Sequence, residues 1–267
     1  MTKKIRIGAL ISGGGTNLQA IMESCESGKI DGQMLFVGSD NPGAGGLERA
    51  HIYGLSEFVV DYASIIRKYR EASPPRSAPE DFDLKAAIAK QSFFPADTDS
   101  EKVKTFLVTR AIAEANLLSE MQAYAFDLLV LAGFMRNLTP YFIDRVNTDR
   151  SHPRIMNIHP ALLPAFAGTD GYGDTWRYGC KVGGCTVHFV DYGEDTGPII
   201  GQAAFRFSED DTLETIKQRG LEIEWQLYSE CIQLYAQRRL QTVKMTHSLD
   251  NGKEIERTIV NILPSDS

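Results

Sequence analysis

Ile5-Arg6-Ile7-Gly8-Ala9-Leu10-Ile11 runs into Ser12-Gly13-Gly14-Gly15-Thr16-Asn17, and Leu18, Ile21, Met22 and Cys25 then recur at helical spacing. The first segment reads as a buried strand, the second as a tight glycine turn, the third as a helix with one apolar face. Strand, glycine turn and helix in that order open a βαβ unit. Glycines let the backbone approach a ligand closely, and the N-terminus of the following helix favours an anion. No Gly-Lys-Ser/Thr follows, so this is not a Walker loop, and Leu18 stands where G-x-G-x-x-G needs its third glycine. The loop therefore suits a single phosphate better than a dinucleotide. The bland alternative is a tight turn without a ligand.

The alternation continues along the chain. Residues 33–38 and 57–60 read as short strands, Gly45 to Tyr53 as a helix, and 110–124 as an amphipathic helix. Phe126 to Ala132 is the most apolar strand and suits the sheet centre. Residues 154–158, Cys185 to Val190 and Pro198 to Phe207 are further strands. Asp211-Thr212-Leu213-Glu214 opens a long helix with Ile216, Ile223, Leu227, Cys231 and Leu234 on one face. Residues 240–262 alternate around Asp250-Asn251-Gly252, a hairpin signal. The expected fold is α/β and Rossmann-like: a mostly parallel twisted sheet with helices on both faces, plus a C-terminal β-hairpin. Residues 62–110 interrupt the pattern with two breaker clusters, Ser73 to Pro79 and Phe94-Pro95-Ala96-Asp97. They read as a partly helical insertion within one domain spanning 1–267, suited to a lid or an intersubunit contact.

Composition narrows the function classes. With 267 residues, 43% hydrophobic and 24% charged, the chain can bury a large core. No apolar run approaches a membrane span of ~20 residues, and the start lacks the features of a signal peptide, so a cytoplasmic location is expected. The four cysteines form no C-x-x-C pair and are expected to be reduced; Cys25 and Cys231 read as small core residues. A net charge of −7 with no basic stripe argues against a nucleic-acid partner. It also leaves anionic substrates to local N–H groups and single arginines. His152, His159, His188 and the cysteines show no zinc spacing, so no metal is expected, and no G-x-S-x-G occurs.

Asn157-Ile158-His159-Pro160 carries the chemistry. Residues i and i+2 of a strand point to one side, which pairs an amide with an imidazole. An amide can donate to a developing oxyanion, an imidazole can move a proton, and a carboxylate can orient and charge that imidazole. Asp195, in the acidic loop Asp191 to Pro198, supplies a carboxylate, although such a loop is equally an ordinary solvated turn. Spacing alone does not bring it to His159. His188, on the strand before that loop, reads either as a second site histidine or as a satisfied sheet residue, the second being favoured. The glycine loop, the Gly133 to Pro140 turn, the Asn157 turn and the Asp195 loop each follow a strand, where α/β sheets bind ligands.

Ser12 to Ile21, Leu131 to Arg136, Asn157 to Pro164 and Asp195 to Pro198 occur in this order. With these motifs the chain resembles the phosphoribosylglycinamide formyltransferases of the folate-dependent formyltransferase family, over nearly its whole length apart from 62–110 and the end of the tail. The resemblance implies formyl transfer from 10-formyltetrahydrofolate, as co-substrate, to the amine of phosphoribosylglycinamide in de novo purine biosynthesis. It implies direct attack through a tetrahedral intermediate, with Asn157, His159 as general acid/base and Asp195 as the catalytic trio. Gly15, Thr16, Asn17, Leu18 and Gln19 would then hold the phosphoribosyl group. Arg110, Met135, Arg136, Asn137, Leu138, Asn157, Asp191 and Asp195 would hold the folate. Both partners are small molecules, and a homodimer is compatible. One departure stands out: Gly168 to Trp176 replaces the histidine-containing stretch typical after Pro164, implying a differently shaped flap. Two related enzymes are the rivals. Methionyl-tRNA formyltransferase typically adds a C-terminal domain, where this chain has room for a hairpin. Formyltetrahydrofolate hydrolase typically adds an N-terminal domain, where this sheet begins at residue 5. A non-catalytic sugar-phosphate-binding regulator would keep the phosphate loop without the transfer.

Overall fold

β1 (Ile5–Ile11) lies between β2 (Gly32–Ser39) and β4 (Leu128–Leu131) in a seven-stranded sheet. The computed structural model describes residues 4–72 and 77–265; Ser73 to Arg76 of the first breaker cluster lie outside them. β3 (Ser56–Val59) flanks β2, β5 (Ile155–His159) flanks β4, and all five strands are parallel. β6 (Val182–Phe189) and β7 (Ile199–Arg206) complete the sheet antiparallel. The order β3-β2-β1-β4-β5-β6-β7 reverses direction between β1 and β4. Such a switch point leaves a crevice outside the carboxyl ends of the strands.

Central strands are apolar on both sides because both faces are covered. Leu18, Ile21 and Met22 of α1 (Thr16–Glu26) pack on one face with Leu227, Tyr228 and Ile232 of α8 (Leu213–Ala236). α2 (Gly45–Ile52) closes the same side through Ala50. Leu10, Phe36 and Leu129 point the other way, onto Leu117 and Met121 of α5 (Ser100–Met121), Tyr62 of α3 (Tyr62–Glu71) and Phe142 of α6 (Pro140–Val146). α4 (Leu84–Lys90) joins α5 through a small cluster of Ala87, Val103 and Leu107. β8 (Leu240–Ser248) and β9 (Glu254–Ile262) form a separate two-stranded antiparallel hairpin. No helix of the described residues is long and apolar enough to cross a membrane.

Two expectations change. The helix expected from residue 110 begins at Ser100, because the Asp99 side chain accepts from the Lys102 N–H at 2.8 Å and caps it there. Arg110 therefore sits mid-helix, on a surface fixed by α3. The stretch expected to be a flap folds instead as α7 (Gly171–Arg177), packed against α8. Gly171 is required there, since a Cβ would lie 2.5 Å from the Pro160 carbonyl oxygen.

Tyr228 ties the helical layer to the strand ends. Its buried hydroxyl donates to the Met156 oxygen at 2.8 Å and to the Leu131 oxygen at 3.2 Å, the last residue of β4. Tyr228→Phe removes a buried donor shared by two strands, and we expect a loss of about 1–3 kcal/mol, measured as a lower urea midpoint with unchanged m-value.

Candidate active site

A cleft of about 480 Å³ opens outside the carboxyl ends of β4 and β5. Its floor is β5. Asn157 and His159 project from the same side of that strand, and Pro160 follows where the strand ends. His159 is 3% exposed. Its Nδ1 lies 3.1 Å from Asp195 Oδ2, and its Nε2 lies 2.8 Å from the Phe166 carbonyl oxygen. A carboxylate and a carbonyl only accept, so the doubly protonated imidazolium is the form that satisfies both contacts.

Asp195 reaches this position from the β6–β7 loop with φ 53°, a left-handed conformation rare outside glycine. The Gly168 N–H donates to Oδ2 at 3.1 Å. Burial pushes this carboxyl up, but His188, His159 and the Gly168 N–H together outweigh burial and hold it below its ordinary value. His188 is both a β6 residue and part of the cleft lining, so the two readings open for it hold together. It faces Asn157 across the β5–β6 ladder. Its Nδ1 donates to the Phe189 oxygen at 2.9 Å, leaving Nε2 at 3.2 Å from Asn157 Nδ2 and 3.6 Å from Asp195 Oδ1. Whichever way the Asn157 amide faces His188, at least one Nδ2–H remains for a ligand oxygen.

The glycine loop borders the cleft without filling it. Gly15 has φ 73°, and a Cβ there would lie 2.7 Å from Gly46 Cα, so the loop needs glycine for its own packing against α2. Of the five residues from Gly15 to Gln19, Asn17 lines the cleft. Leu18 is fully buried in the core, so only its backbone can meet a ligand. Gln19 is turned to Glu23 at 2.6 Å and Tyr53 at 3.1 Å. Asn17 Nδ2 donates to Glu224 Oε2 and Tyr172 OH to Glu224 Oε1, each at 2.8 Å. Asn17 Oδ1 is buried without a hydrogen-bond partner. Burial pushes the Glu224 carboxyl up, despite these two donors. Sequence reading missed Glu224 and Tyr172. The available signal was an acidic residue at a buried position of α8, between Ile223 and Leu227.

Every residue expected on the folate side lines the cleft. Met135 N–H donates to Ser12 Oγ at 2.8 Å, and its side chain is 59% exposed. Arg136 pairs with buried Asp40 at 2.5 Å. Asn137 donates to Glu194 at 3.2 Å, linking the two loops, while Leu138 is buried beneath them. Asp191 Oδ1 accepts from the Gly193 N–H and the Thr196 hydroxyl, which shapes its loop. The Arg110 guanidinium lies 4.9 Å from the Phe106 ring centre and 5.4 Å from that of Tyr62, with Nε buried and unpartnered.

A family model described as formyl transferase matches residues 5–232. Phosphoribosylglycinamide formyltransferase of Bacillus subtilis is 31% identical over 221 residues, 83% of this chain and 89% of its own length. The Haemophilus influenzae protein of the same name is 31% identical over 253 residues, 95% of this chain and 97% of its own. The crystal structure of glycinamide ribonucleotide transformylase 1 from Symbiobacterium toebii superposes with a TM-score of 0.70 at 36% identity, covering 99% of this chain and 96% of its own.

The depressed Asp195 carboxyl makes a stability prediction. Its contribution is complete above the ordinary carboxylate pKa of about 4 and is lost as pH falls through the lower folded-state value. The stability gap between the protein and Asp195→Asn should therefore narrow on acidification below about pH 4. Urea unfolding of both proteins across that window tests it; a gap independent of pH refutes the pairing.

Proposed function

The chain belongs to the formyl transferase family, and we propose that it carries the formyl group of 10-formyltetrahydrofolate to the amine of phosphoribosylglycinamide, a step of de novo purine synthesis. It is a formyltransferase; the names of its relatives support the acceptor substrate and the pathway. The observation that carries the mechanism is the His159 ring held between two acceptors, Asp195 and the Phe166 carbonyl, beside the Asn157 amide.

In this reading the amine enters from the Asn17, Glu224 and Tyr172 side. The orphan Asn17 Oδ1, oriented by its Nδ2 bond to Glu224, accepts a hydrogen bond from the substrate. The folate enters between Arg110, Met135 to Leu138 and the Asp191 to Asp195 loop. The phosphate end would meet the backbone at Gly15 and the first turn of α1, whose N–H groups favour an anion.

The amine nitrogen attacks the formyl carbon, and the carbonyl π electrons move to oxygen. Asn157 Nδ2–H and His159 Nε2–H stabilise that oxyanion, which takes the place of the Phe166 oxygen on His159. The folate nitrogen leaves with the bonding pair and a proton from His159, and the proton shed by the attacking amine restores the ring. Asp195 orients the ring throughout and favours its charged form before the transfer and after the ring is restored.

The deciding assay follows tetrahydrofolate release from 10-formyltetrahydrofolate with and without phosphoribosylglycinamide. Release that requires the amine is expected. Release without it identifies a hydrolase, and no release under either condition removes the enzymatic reading. Asp195→Asn and His159→Ala should fold normally yet lower kcat by about 10²–10⁴-fold. Near-normal turnover in either would sink the assigned roles.

A further inference from the structure

α5 carries a buried carboxyl group that the reaction above does not use. Glu114 is fully buried and lies one turn beyond Arg110, so the two share a helix face. Its Oε1 accepts the Thr139 N–H at 2.8 Å, and its Oε2 meets the Thr139 hydroxyl at 2.5 Å. Thr139 directly follows the Met135 to Leu138 segment of the cleft and is the N-cap residue of α6. An N-cap hydroxyl ordinarily accepts from an N–H of its own helix. Thr139 makes no such bond; its hydroxyl is turned to α5. An ordinary cap over an apolar core would hold α6 without the penalty of burying a carboxyl. What the observed arrangement adds is a direct register between the element bearing Arg110 and the loop bearing Met135 to Leu138.

We propose that Glu114 is a positioning residue for the folate end of the cleft: it fixes the Met135 to Leu138 segment through Thr139 and governs how freely Arg110 meets an anionic ligand. This rests on the assignment of that wall to the folate. Glu114 is faced by Arg110 on its own helix, Tyr62 on α3, and Tyr141 and Arg145 on α6. Burial pushes its carboxyl up; the Thr139 bonds, Arg110 and Arg145 bring it back only to about 7. Below that pH Glu114 is neutral and leaves the Arg110 charge to a ligand. Above it, the carboxylate competes for Arg110, and folate affinity falls as pH rises.

Three measurements on the full chain test this: tetrahydrofolate binding across pH, phosphoribosylglycinamide binding, and hydrogen exchange at the Thr139 amide. Glu114→Ala should weaken tetrahydrofolate about tenfold, the worth of one strong hydrogen bond, leave phosphoribosylglycinamide affinity unchanged and speed exchange at Thr139. Glu114→Gln, permanently neutral and able to bond both Thr139 groups, should keep the affinity of the neutral state and lose its fall above pH ~7. A pH dependence that survives in Glu114→Gln overturns the link to Arg110. Equal weakening of both ligands, or unchanged Thr139 exchange in Glu114→Ala, overturns the positioning role. If the unaltered protein binds no folate at any pH, the folate assignment fails, and Thr139 exchange in Glu114→Gln and Glu114→Ala still decides whether Glu114 holds the loop.

Discussion

One buried histidine sets the terms for the rest of the site. His159 has an acceptor on each ring nitrogen, Asp195 on Nδ1 and the Phe166 carbonyl on Nε2. A neutral ring could satisfy only one of them. A ring donating to both would need an ionised partner, and the depressed Asp195 carboxyl meets that condition. The surrounding backbone is shaped to maintain the pair: Asp195 and Phe166 both adopt left-handed φ values, and Gly168 donates to the carboxylate. Local strain at two non-glycine residues is the kind of cost that persists where the surrounding structure over-determines it.

The sheet explains why these groups meet. β1 and β4 are parallel neighbours although more than a hundred residues separate them, and the order in which strands are added to the sheet reverses between them. The glycine loop, the Gly133 turn and the Asn157 turn therefore emerge side by side. β6 then returns antiparallel to β5, which sets His188 opposite Asn157 and delivers the Asp195 loop to the rim. On the far side, α5 contributes Arg110 and Glu114 from one face, so the wall assigned to the folate is built from a helix and a loop bonded to one another. Tyr228 anchors β4 and β5 from the opposite layer. The cleft is thus supported from both faces of the sheet.

Much of this was legible in the chain. The strand, turn and helix opening followed from the apolar run at 5–11 and the helical spacing of Leu18, Ile21, Met22 and Cys25, because periodicity reports which side is buried. The hairpin followed from Asp250-Asn251-Gly252, where Gly252 takes φ 77°. Other features were not legible because they depend on partners remote in sequence. The start of α5 turned on a single cap at Asp99. Leu18 belongs to the core, although it sits in the segment expected to hold phosphate. Tyr172 and Glu224 meet across 52 residues, and Glu114 meets Thr139 across 25.

The sequence by itself determined the alternating architecture, the identity of the groups able to do carbonyl chemistry, and the strand ends on which they sit. Local spacing encodes these, since side-chain direction repeats with strand and helix period. Only the tertiary structure decided that Asp195 and the Phe166 carbonyl both reach His159, that His188 joins them, and that a buried carboxyl on α5 grips the loop after β4. Those contacts follow from strand order and loop closure, and no local pattern in a single chain records the distance between residues brought together by a sheet.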